Sequence, residues 1–89
     1  MATLALFYGI IVSIFYKDNR QHSVPHIHAD YQGQSVVLSI PDGEILAGDF
    51  PPRKLKLVRA WIEIHNEDLL ANWELAVNGK PVFPIEPLR

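Results

Sequence analysis

At Pro51-Pro52 the spacing of apolar residues changes, and no other feature constrains the fold of this chain as strongly. Before that point, short runs rich in Val, Ile and aromatic side chains are broken by Asn, Asp, Gly and Pro, the pattern of strands joined by turns. After it, Val58, Trp61, Ile62, His65, Leu69, Trp73 and Ala76 fall on one stripe at helical spacing, with Lys56, Glu63, Glu67 and Glu74 opposite. Strands followed by an amphipathic helix predict an α+β fold: a small antiparallel three- to four-stranded sheet packed on one face by a single long C-terminal helix.

The helix is expected over 51–78. Pro51-Pro52 suits its start, Asn78-Gly79 its stop, and Asn66 is where a bend would fall. Strands are expected at about 10–17, 26–32, 34–40 and 44–47, joined as a meander through turn signals at Gly33 and Pro41-Asp-Gly43. In the tail, 80–89, the segment Val82 to Ile85 is expected along an edge of the sheet. With 89 residues the chain supports one core and one domain, 1–89. A domain this small leaves much of its surface in water, so self-association or a protein partner is expected.

Composition excludes several roles. Eight basic and ten acidic residues give a net charge of −2, without the broad positive field that non-specific nucleic-acid binding needs, so a nucleic-acid site would have to be local. There is no cysteine, which removes disulfides and thiolate zinc sites and suits a reducing cytoplasm. The apolar run from Ala2 to Tyr16 is shorter than the roughly 20 residues a membrane-spanning helix requires, and no membrane role is expected.

The sharpest chemical feature is His22-Ser-Val-Pro-His26-Ile-His28-Ala-Asp30, three of the four histidines in seven positions. In a strand, His26, His28 and Asp30 share a face, with the imidazoles roughly 6.6 Å apart along it. His22 could join them from the loop. Two histidines and a carboxylate match the composition of a non-haem iron triad, and three histidines suit zinc with an open position; a divalent Zn, Fe or Ni ion is the cofactor such a set would take. Without metal, His26 and His28 could act as a catalytic acid–base pair. A third reading stays open, in which the rings cap backbone groups or face solvent.

Burying the most apolar area turns Ile10, Val12, Ile14, Ile27, Ala29, Tyr31, Val36, Leu38 and Ile40 toward the helix. His26 and His28 are then expected on the other face with Ile11, Phe15 and Val37, an uncovered surface of the kind that marks an interface. His65, on the helix stripe, is expected to be a buried core histidine outside the site. Arg53, Lys54, Lys56 and Arg59 crowd the helix start, against the macrodipole, and form a candidate site for an anion or an acidic partner.

The segments GIIVSIFYKDN, PHIHADYQG, GEILAGDFPPRKLKLVRAWIEIH and NWELAVNG together resemble the small bacterial proteins of domain of unknown function 4160, over nearly the whole length. In such proteins the loop often reads Asn-x-Pro-His-x-His, onto which Pro25, His26 and His28 map; Ser23-Val24 departs from it. The resemblance implies no established reaction. It does imply a gene beside another small open reading frame, similar to a toxin–antitoxin pair. Two functions are expected as alternatives: an intracellular interaction module, one member of such a pair, that binds a protein partner or itself, and, from the histidine cluster, a small histidine-dependent hydrolase or RNase or metal-binding protein using His22, His26 and His28.

Overall fold

A computed structural model of the chain describes residues 2–15 and 24–89. Five strands, β1 (Ala2–Phe7), β2 (Ile10–Ile14), β3 (His26–Tyr31), β4 (Gln34–Ser39) and β5 (Ile45–Gly48), form one antiparallel sheet in sequence order, followed by α1 (Pro52–Ile64) and α2 (Asn66–Val77). No helix among the described residues is long and apolar enough to cross a membrane.

The expected meander is present with one more strand than expected. The apolar run at the start is a hairpin, not a lone strand: Tyr8 and Gly9 both take positive φ, 51° and 79°, and Phe7 pairs with Ile10 across them. Two consecutive positive φ values are what a tight hairpin turn with the right-handed strand twist demands. Gln32 and Gly33, at 46° and 84°, repeat the device between β3 and β4, where Tyr31 pairs with Gln34. Residues 16 and 17 of the expected strand 10–17 lie outside the described residues.

The single long helix is corrected to two. At His65 the backbone leaves helical geometry (φ −113°, ψ 23°), one residue before the expected bend position Asn66. The break is tied off locally: the His65 amide donates to the Trp61 carbonyl at 3.0 Å, and the Leu69 amide donates to the His65 carbonyl at 2.9 Å. His65, expected to be buried, is half-buried at this break, its ring 5.7 Å from that of Trp61. The rest of the stripe, Val58, Trp61, Ile62, Leu69, Trp73 and Ala76, is buried as expected.

Both helices serve one face of the sheet. Ile10, Val12, Ile27, Ala29, Val36 and Leu38 are buried there, and Trp61 meets Phe7 at 5.5 Å between ring centroids. The tail lies on the β1 edge as expected. Ile85 is buried and its amide donates to the Leu4 carbonyl at 2.9 Å. Asn72, fully buried in α2, holds that tail with both amide atoms, donating to the Phe83 carbonyl and accepting from the Phe83 amide, each at 2.9 Å.

Candidate functional site

The histidines begin where β3 begins. Pro25 cannot donate to a ladder, so the strand starts one residue later. From there alternation holds for Ile27 and Ala29, which point into the core, and for His28 and Asp30, which point to the other face. His26 differs from His28 in what covers it. The pairing of β2 with β3 ends at Ser13–His28, so His26 stands beyond the last β2 partner while it still pairs with Ser39 of β4. Its ring is 1% exposed, lies 4.8 Å from the Trp73 indole, and its Nδ1 donates to the Val24 carbonyl at 2.9 Å. The expectation that both imidazoles lie on a surface the helices leave uncovered therefore fails for His26, on which Trp73 of α2 packs.

His28 is half-buried on the open face, stacked on Phe15 with centroids 4.0 Å apart and planes 24° apart. The His26 ring meets it edge-on at 5.4 Å. Two positions along β3, the Asp30 carboxylate accepts a hydrogen bond from the Ser35 hydroxyl across the β3–β4 hairpin. Phe15, His28, Asp30 and Ser35, with Val36, Val37, Ala47 and Gly48, line an open groove of about 270 Å³. Leu6, Ile11 and Phe15 extend the apolar surface on this side of the sheet, 62%, 41% and 37% exposed.

Of the expected metal set, His22 lies outside the described residues, Asp30 is engaged by Ser35, and His26 is packed under Trp73. No group of three or more His, Asp or Glu among the described residues is arranged to hold a metal ion. The pair that stays together on the groove is His28 and Asp30.

The basic cluster is elsewhere and partly occupied. Lys54 donates to the Tyr8 carbonyl at 3.1 Å and lies 4.8 Å above the Tyr31 ring, and the Arg59 Nε donates to the Gly43 carbonyl at 2.8 Å. These two bases fasten the β1–β2 and β4–β5 turns to α1. Arg53 and Lys56 are exposed. None of the four lines the groove.

The model of the family described as Domain of unknown function (DUF4160) matches residues 9–74, well over half of the chain. The chain belongs to the DUF4160 family. No curated protein and no solved structure matches it. The DUF4160 match spans every residue that lines the groove and leaves out β1 and the tail, the parts that complete the sheet and close its first edge.

Sequence reasoning did not include Ser35 or Gly48 in the site. Ser35 was within reach: a two-residue turn at Gln32-Gly33 sets 31 opposite 34 and therefore 30 opposite 35. Gly48 was not, because a register shift between Val37 and Leu38 decides which residue of β5 meets β4.

Proposed function

We propose that this DUF4160 chain is a non-enzymatic interaction module of the bacterial cytoplasm, one member of a toxin–antitoxin-like pair, which binds the protein encoded beside it through the face of the sheet opposite the helices. The observation that carries this reading is the exposure of Leu6, Ile11 and Phe15 together on that face while both helices occupy the other. Leu6 and Ile11 are paired neighbours across β1 and β2, and Ile11 is paired with Asp30 on β3, so the apolar surface runs continuously to the rim of the groove. Exposed apolar area of this kind, rimmed by polar groups, is removed from water most readily by a partner. Asp30 supplies the polar rim, and the chain's net charge of −2 favours a basic partner over a second copy.

A hydrolase reading has less support. His28 and Asp30 share the groove, but His26 is packed against Trp73 and the bases expected to hold phosphate do not line it.

Co-expression with the product of the adjacent open reading frame tests the reading. The expected result is a complex of defined stoichiometry by light scattering, absent for Ile11→Glu. A chain that elutes alone beside that product overturns it.

A further inference from the structure

We infer that the groove beside His28 is a socket for an arginine side chain of the partner. This deepens the reading above and rests on it for the source of that side chain. Among the described residues that line the groove, Asp30 is the one that carries a formal charge at neutral pH with histidines neutral. Its carboxylate accepts from the Ser35 hydroxyl, and a carboxylate has about four lone-pair sites, so it keeps capacity for a second donor. An anionic ligand would meet that charge with repulsion. A wholly apolar one would desolvate it without compensation.

Phe15 and His28 both line the groove and stack on each other with centroids 4.0 Å apart, so each ring has one face turned away from the other. A planar guanidinium stacks on such a surface while forking its N–H groups to a carboxylate, and it sheds water more easily than the compact ammonium of lysine. Gly48 contributes backbone to the lining, and its position requires glycine. Gly48 lies at φ +84°, and a Cβ there would come within 2.2 Å of the Ser35 carbonyl oxygen, which also accepts from the Asp49 amide at 3.2 Å. Asp49, exposed beside Gly48, adds negative potential at the rim. Arginine in a pocket of this kind is a frequent energetic anchor of protein interfaces.

The test is an amide NMR titration of the full chain with N-acetyl-arginine methylamide, using the citrulline analogue, neutral and nearly isosteric, as control. The expected result is a set of shifts clustered at Asp30, Ser35, Ala47 and Gly48, half-saturating at roughly millimolar concentration. The citrulline analogue should leave them unmoved. Asp30→Asn should weaken the response at least about tenfold, the loss typical of one charge-assisted hydrogen bond. Phe15→Leu, at a partly exposed position where the fold is not at stake, should weaken it severalfold. Equal shifts with citrulline, shifts indifferent to Asp30→Asn and Phe15→Leu, or none in the groove would overturn the socket. The titration contains no partner, so its failure leaves partner binding standing, and a failed co-expression with a successful titration removes only the partner.

Discussion

The imidazole of His26 lies 4.8 Å from the indole of Trp73, and this contact joins the first residue of β3 to α2. Together with the hydrogen bond from Nδ1 to the Val24 carbonyl, it fixes the point where the chain enters the sheet. His28, two residues on, is half-buried against Phe15, its ring 5.4 Å from that of His26. The two histidines of one short motif thus do different work: the first is core, and the second is site.

That division predicts unequal costs. His26→Ala removes a fully buried ring and leaves the Val24 carbonyl without its donor, and should destabilise by about 2–4 kcal/mol. His28→Ala, at a half-buried position, should cost less than about 1.5 kcal/mol. Urea denaturation of the two variants checks the order, and equal losses would dissolve the distinction.

Asn72 is expected to be the most sensitive polar position of the helices. Asn72→Ala leaves the Phe83 amide and carbonyl without partners and opens a small buried space, a loss of about 2–4 kcal/mol. Because the tail is held at Phe83 and then at Ile85, hydrogen exchange of the Ile85 amide should accelerate in this variant by more than that of the β3 and β4 amides. Uniform acceleration would show that the tail is not a separately held element.

The four bases at the start of α1 should separate in a thermal melt. Arg59→Ala loses the hydrogen bond to the Gly43 carbonyl and should cost about 1–2 kcal/mol. Lys56→Ala, at an exposed position, should fall within about 0.5 kcal/mol of the parent. Indistinguishable melts would mean that Arg59 does not secure the turn.

Gly48→Ala should be among the costliest small changes in the protein, above about 2 kcal/mol, since it adds a Cβ against the Ser35 backbone at a φ that side chains rarely adopt. A melting temperature within a few degrees of the parent would contradict the described β4–β5 register.

These contrasts also show how far the sequence could be read. The α+β order, the antiparallel meander, the inward residues of β2, β3 and β4 and most of the helix stripe follow from periodicity, because burial of one face leaves little choice of register. The first hairpin was hidden because Tyr8 supplies one of the two positive φ values at its turn, where Asn, Asp or Gly is the usual signal. The helix break falls one residue from the expected bend at Asn66, but the apolar stripe continues through it to Leu69 and Trp73, so the pattern reads as one helix where there are two. His26 was misjudged because alternation assigns a side chain to a face and says nothing of what covers it, and Trp73 of α2 reaches the start of β3. The groove needed the β5 register, which a bulge sets and no local pattern announces.

Calorimetric titration of the product of the adjacent open reading frame into the parent chain and into Ile11→Glu decides whether the open sheet face is the docking surface. Ile11 lies between Leu6 and Asp30 on the open face and is 41% exposed, so the substitution should leave the melting temperature nearly unchanged. The parent should bind, and the variant should bind at least about thirtyfold more weakly, the scale of one central interface residue. Equal affinity of the two proteins, or no heat of binding with either, would contradict that assignment.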